Sequence, residues 1–131
     1  MHMRIIGGKY RNRRLHPPHE MEARPTTDFA KEGLFNVLLH SVPLDGIRVL
    51  DLFAGTGNIS LEFLSRGAQE VVSVEQDRTL YAFMQRTARE LNEPGRRIVK
   101  ADVFAFLNGH RSQYHIVFAD PPFDLEGIER T

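Results

Sequence analysis

Cysteine is absent from this 131-residue chain. That excludes a disulfide framework, a thiolate nucleophile and a cysteine-ligated zinc site. The six histidines are scattered without metal-ligand spacing, so no metal site is expected. No stretch approaches the roughly 18 consecutive apolar residues that a membrane span needs. The start also lacks the apolar core of a signal peptide, which makes the cytoplasm the expected compartment. Net charge is missing too: 17 basic residues balance 17 acidic ones, so the total says nothing about a nucleic-acid partner. The placement of the charges says more. Over residues 1–24, Arg4, Lys9, Arg11, Arg13, Arg14 and Arg24 stand against Glu20 and Glu22 alone. From Asp120 onward, Asp120, Asp124, Glu126 and Glu129 face only Arg130.

What is present suffices for one globular domain, with 41% apolar residues to build a core. Residues 1–24 read as a basic amino-terminal arm and residues 25–131 as the domain proper. In the arm, Arg4-Ile5-Ile6 and Arg13-Arg14-Leu15 flank Gly7-Gly8-Lys9-Tyr10, which predicts a hairpin turned at the glycines. Such an arm either covers a sheet edge or tracks a phosphate backbone through its arginines, and charge alone leaves the two even. Thr27 or Asp28 then caps a helix. Phe29, Leu34, Phe35, Val37, Leu38 and Leu39 make that helix apolar over much of its girth, which predicts that it is largely buried. Gly33 in its middle predicts a close neighbour.

Beyond Gly46 the pattern changes to short apolar runs alternating with helical segments. Strands are expected at 47–52, 70–74, 97–100 and 114–119, with helices at 58–66, 78–92 and 103–107. This β-α-β-α-β-α-β rhythm predicts an α/β fold with a doubly wound, mostly parallel sheet. Such a sheet binds its ligand at the carboxyl ends of its strands. Asp51, Glu75 and Asp102 all fall at or near such ends. After the first strand, Asp51-Leu52-Phe53-Ala54-Gly55-Thr56-Gly57-Asn58 forms a glycine turn whose backbone can approach a ligand without a Cβ in the way. Glu75 lies where a carboxylate can accept both hydroxyl protons of a ribose.

Two further absences narrow the nucleotide. The third glycine of a dinucleotide loop is replaced by Ser60, and no Gly-x-x-x-x-Gly-Lys phosphate loop occurs. A carboxylate-rich site suits a cofactor that carries a sulfonium and no phosphate. The Asp-x-Phe-x-Gly-x-Gly form resembles the first motif of S-adenosylmethionine-dependent methyltransferases. On that resemblance Asp51, Phe53, Gly55, Gly57, Asn58 and Glu75 would line the cofactor site. Asp102 would take the exocyclic amine of the adenine, with Val103 and Phe104 as its apolar wall.

The fourth strand delivers Asp120-Pro121-Pro122-Phe123 to the same end of the sheet. An exocyclic base amine is a poor nucleophile because its lone pair is delocalised into the ring. Asp120 and the carbonyl of Pro121 can accept its two protons and turn the lone pair outward, while Phe123 offers a face for a flipped-out base. Taken alone, Asp-Pro-Pro is a turn after a strand. In this context it resembles the (Asp/Asn)-Pro-Pro-(Tyr/Phe) signature of amino-group methyltransferases.

The amino terminus narrows the resemblance further. Met3 to Tyr10 and Arg24-Pro25-Thr26-Thr27-Asp28 through Leu34-Phe35-Asn36 are similar to the bacterial small-subunit (16S) ribosomal RNA guanine-N2 methyltransferase family. The motifs occur in the family's order along nearly the whole chain. The resemblance implies a Rossmann-like methyltransferase fold, S-adenosylmethionine as cofactor, and small-subunit RNA or a ribosomal particle as partner. It favours RNA contact by the arm and places Thr26 close to the cofactor. It also implies a seven-stranded sheet, so the chain is expected to stop after the fourth strand, leaving an apolar edge open to dimerisation and a weakly active fragment. Competing readings are a DNA adenine-N6 methyltransferase, a protein glutamine-N5 methyltransferase (disfavoured by Asp rather than Asn at 120), and a non-catalytic RNA- or ribosome-binding module.

Overall fold

The alternation of short apolar runs with helical segments is realised as a four-stranded parallel sheet. The computed structural model describes residues 3–18 and 27–121. Two short strands, β1 (Met3–Arg4) and β2 (Arg14–Leu15), pair antiparallel with Met3 opposite Leu15. Helix α1 (Asp28–Ser41) follows, capped by the Thr27 hydroxyl, which accepts the Ala30 N–H at 3.1 Å. Then come β3 (Arg48–Leu52), α2 (Asn58–Ser65), β4 (Glu70–Glu75), α3 (Arg78–Leu91), β5 (Arg96–Lys100), α4 (Val103–Gly109) and β6 (Ile116–Ala119). The expected β/α order holds, with element bounds shifted by one or two residues, β5 beginning early at Arg96 and β6 late at Ile116.

The sheet order is β5-β4-β3-β6, with every neighbouring pair parallel. The chain steps outward from β3 to β4 and β5, then crosses back through α4 to β6 on the other side of β3. That reversal makes the β3–β6 junction the switch point where such sheets open a ligand crevice. Side chains alternate between faces. Val49 and Val71 pack with Phe35 of α1 and with Phe63 and Leu64 of α2. Leu50, Leu52, Val72 and Val74 pack on the opposite face with Val103 of α4. At the outer strand β6, Val117 remains 57% exposed.

The arm lies over the helices and not along a sheet edge. Met3, Ile5 and Leu15 bury themselves against Leu61 of α2 and against Phe83 and Leu91 of α3. Helix α1 also departs from expectation. Its apolar girth is largely exposed at Phe29 (87%), Val37 (65%) and Leu39 (52%), while its buried residues are Phe35 and Lys31. Gly33 has open space where a Cβ would be, so no close neighbour explains it. Apolar content misjudged this helix because one of its two buried positions goes to a cation.

That cation is fully buried beside a fully buried carboxylate, Glu62 of α2, at 3.1 Å. Glu62 also accepts from Arg66 Nε (2.8 Å) and from the backbone N–H groups of Ile6 (3.0 Å) and Gly7 (2.9 Å). Burial by itself raises the Glu62 pKa, but these donors outweigh it and hold the carboxyl below its usual range. A buried carboxylate needs this many donors, because leaving it uncompensated would cost several kcal/mol.

Two substitutions separate the buried ion pair from helix propensity. Glu62→Gln strands the Lys31 charge and should cost about 3–5 kcal/mol in urea unfolding. Gly33→Ala meets no neighbour and should stabilise the protein by about 0.5–1 kcal/mol in the same assay.

Candidate cofactor and substrate site

Strand β3 ends at Leu52, flanked by Val74 of β4 and Ala119 of β6. The chain leaves it with positive φ at Phe53 (58°), Gly55 (62°) and Gly57 (83°). A left-handed conformation at a non-glycine residue such as Phe53 costs on the order of 1–3 kcal/mol. Three hydrogen bonds offset it. The Ala54 N–H donates to the Val74 carbonyl (3.0 Å), the Gly57 N–H to the Ala54 carbonyl (2.9 Å) and the Gly55 N–H to Glu75 Oε1 (2.8 Å). Glu75 Oε2 accepts in addition from the Asp77 N–H at 3.0 Å. An ionised carboxylate has about four acceptor positions. Glu75 is therefore held in place by two amides and keeps capacity for two further donors.

Asp51 lies behind this loop and away from solvent, with 1% exposure. Ser60 Oγ donates to Asp51 Oδ2 at 2.5 Å and lies 2.7 Å from Ser73 Oγ. Burial raises the Asp51 pKa to about 6, while the Ser60 hydrogen bond and the charge of Arg96 pull the other way. The Arg96 guanidinium is itself enclosed, with Nε, Nη1 and Nη2 buried and without hydrogen-bond partners. Burial lowers its pKa to about 10, with Asp51 and Glu93 opposing. A Cβ at Gly57 would come within 2.2 Å of Arg96 Nη2 and 2.9 Å of Met84 Cγ. Glycine is thus required there by Arg96 from beneath as well as by its own φ. Asn58, the first residue of α2, is buried and accepts Lys31 Nζ at 2.7 Å through its side-chain oxygen.

The far wall comes from α4. Asp102 is exposed and caps the helix, its Oδ2 accepting the Ala105 N–H at 3.0 Å. Val103, expected on the site's apolar wall, instead points into the core with Leu50 and Val72, because strand-facing packing claims it. Phe104 takes the outward position, 45% exposed, with its ring 6.2 Å from that of Phe53 at 70°. Asp120 is exposed, one residue beyond the Leu52–Ala119 pair, which brings it beside the start of the glycine loop; Pro121 follows half-buried. Pro122, Phe123, Thr26 and Arg24 lie outside the described residues.

In the arm, Arg4 pairs with Asp28 at 3.2 Å and Lys9 with Glu93 at 3.1 Å, while Arg11, Arg13 and Arg14 are exposed. The residues that motif reading missed are Lys31, Ser60 and Arg96. For Arg96 a signal existed: strand alternation pairs it with Ile98 on one face, which is the α2 side. Among the described residues no group of three or more His, Cys, Asp or Glu could hold a metal ion, and no helix is long and apolar enough to cross a membrane.

This geometry has relatives. Residues 3–131 match the family described as Conserved hypothetical protein 95. The chain belongs to that family. It is 39% identical to the Ribosomal RNA small subunit methyltransferase D of Escherichia coli (strain K12), covering 98% of this chain and 64% of the relative. It is 34% identical to the protein of the same name from Haemophilus influenzae, covering 98% of this chain and 67% of that one. The chain therefore spans about two thirds of the length of these relatives. The solved structure of yhhF from Escherichia coli superposes with a TM-score of 0.87 at 36% identity, covering 98% of this chain and 69% of that one. The fold is the Rossmann-like methyltransferase fold.

The Asp51–Arg96 pair generates a pH prediction. The folded protein holds the Asp51 proton more tightly than the unfolded chain does. This group therefore adds stability as pH falls through about 6 towards its ordinary 3.8, and withdraws it as pH rises. Arg96→Met removes the nearby positive charge and should move the Asp51 titration above 6, read from the side-chain carboxyl carbon by NMR. An unchanged midpoint would show that the two charges do not interact.

Proposed function

We propose that this chain forms the cofactor-binding and methyl-transferring part of an S-adenosylmethionine-dependent enzyme that methylates the exocyclic N2 of a guanine in small-subunit ribosomal RNA. The observation that carries the reading is Glu75. Its carboxylate is anchored by the amides of Gly55 and Asp77 and keeps two acceptor positions, at the carboxyl end of β4 beside the glycine loop. Two acceptors at the foot of a glycine loop match the paired hydroxyls of a ribose. The exposed Asp102 carboxylate and the Phe53–Phe104 rings suit an adenine, polar at one edge and apolar on its faces. When bound, S-adenosylmethionine supplies a methyl group activated by its sulfonium.

The rest of the chemistry belongs to the chain. Asp120 and the Pro121 carbonyl accept the two protons of the guanine amine, which draws the nitrogen towards tetrahedral geometry and frees its lone pair. The amine proton lost on transfer passes to the Asp120 carboxylate or to water. Phe123 supplies a stacking face for the extruded base. Catalysis then rests on positioning and charge, with no covalent attachment to the protein. Arg11, Arg13 and Arg14, exposed on the seated arm, contact RNA phosphates. The names of the relatives support small-subunit ribosomal RNA as the substrate class, and a cytoplasmic enzyme is the reading that accords with that substrate.

Calorimetric titration with S-adenosylmethionine tests the site. Each hydrogen bond to a charged group contributes about 1.5–3 kcal/mol, so Glu75→Ala should weaken binding at least about tenfold. Equal affinity in the variant would refute the Glu75 role. Incubation of the protein with small-subunit particles, followed by nucleoside digestion, should yield N2-methylguanosine. N6-methyladenosine would instead point to an adenine target.

A further inference from the structure

Lys31 lies outside the cofactor site, yet it is the side chain that ties the arm to it. Its ammonium donates to the Arg4 carbonyl in the arm (2.6 Å) and to Asn58 Oδ1 (2.7 Å), and it pairs with Glu62 Oε1 at 3.1 Å. Asn58 and Glu62 stand four residues apart on one face of α2, so a single cation spans a full turn of that helix. Asn58 directly follows Gly57, the last residue of the glycine loop. Further backbone contacts of the arm fall on the same short helix. Ile6 and Gly7 donate to Glu62, the Lys9 N–H donates to the Ser65 carbonyl (2.8 Å), and the Tyr10 N–H donates to Ser65 Oγ (2.9 Å). Helix α2 is eight residues long, with the arm docked on its second half and the glycine loop entering its first residue.

We propose that Lys31 is a positioning residue that couples the seating of the amino-terminal arm to the shape of the cofactor loop, so that the arm and the cofactor strengthen each other's binding. The proposal rests on the cofactor reading above and adds to it a line of communication between the RNA-facing arm and the loop. Lys31 is wholly buried, so it touches neither cofactor nor RNA and acts only through Asn58, Glu62 and the Arg4 carbonyl. Coupling of this kind is reciprocal: whatever the cofactor gains from a seated arm, the arm gains from bound cofactor. Each tether joins a different segment, and the ammonium satisfies all three at once. An arm lifted from α2 withdraws the Arg4 carbonyl and the two amides on Glu62. Lys31 then shifts towards the carboxylate that has lost its donors, and its hold on Asn58 slackens.

Lys31→Met tests this without stranding a buried carboxylate, because Glu62 keeps Arg66 and two backbone amides. Limited trypsin digestion reads arm seating, since Arg11, Arg13 and Arg14 are exposed cleavage sites. In the wild-type protein, saturating S-adenosylmethionine should slow cleavage within the arm by at least about fivefold, the lower end of ordinary site-to-site coupling. In Lys31→Met that ratio should fall to about one and cofactor affinity should drop by a similar factor. A merely structural role would speed cleavage with and without cofactor alike and leave the ratio unchanged, which overturns the proposal. If Lys31→Met does not fold by circular dichroism, Lys31→Gln, which keeps a polar end but removes the charge, is read by the same ratio. A wild-type protein that fails to bind S-adenosylmethionine overturns the cofactor reading and this proposal together. Binding with an unchanged ratio in the variants overturns this proposal alone.

Discussion

The buried carboxylate of Glu62 is the constraint on which the arrangement of the amino-terminal half depends. A charge with no exposure in the middle of an eight-residue helix is tolerable only when donors surround it. The structure collects them from three directions: Lys31 from α1, Arg66 from the next turn of α2, and the amides of Ile6 and Gly7 from the arm. Apolar packing of Met3, Ile5 and Leu15 on α2 and α3 supplies the bulk of the arm's adhesion. The ion cluster supplies its register, because hydrogen bonds to one carboxylate admit a single placement.

The loop end of the same helix shows the complementary device. There the glycine loop is held through the Gly55 amide by Glu75, while Asp51 and the Arg96 guanidinium lie enclosed behind it. Arg96 fills the space a Cβ at Gly57 would need, and Ser60 links Asp51 to Ser73 across two strands. The carboxylates at neighbouring strand ends thus divide their work. Asp51 supports the loop from the interior, Glu75 fixes its backbone while keeping acceptors to spare, and Asp102 caps α4 at the surface.

Much of this was legible in the chain's letters. The alternation of apolar runs and helical segments named every strand of the sheet, because burial on both faces of a parallel sheet leaves a short apolar signature that turns punctuate. The glycine turn was legible for a similar reason: the backbone conformation it needs is local. Lys31 and Glu62 were not, since their partners lie 27 to 56 residues away and nothing local marks a charged side chain as buried. Apolar content misled over α1, whose Phe29 and Val37 stand in solvent. Arg96 was lost by one residue at a strand boundary. A strand begun at 96 would have set its side chain on the α2 face, opposite the surface where an arginine is expected.

The tie between Ile6 and Glu62 spans 56 residues, and it has a temporal meaning as well as a spatial one. A growing polypeptide at about 5–20 residues per second brings Glu62 into existence roughly 3–11 s after Ile6. Throughout that interval the arm has no helix to lie on. Lys31 emerges solvated and can only be enclosed once α2 has wound. The arm is therefore made before the helix it lies on, and its placement waits on the residues that complete its seat.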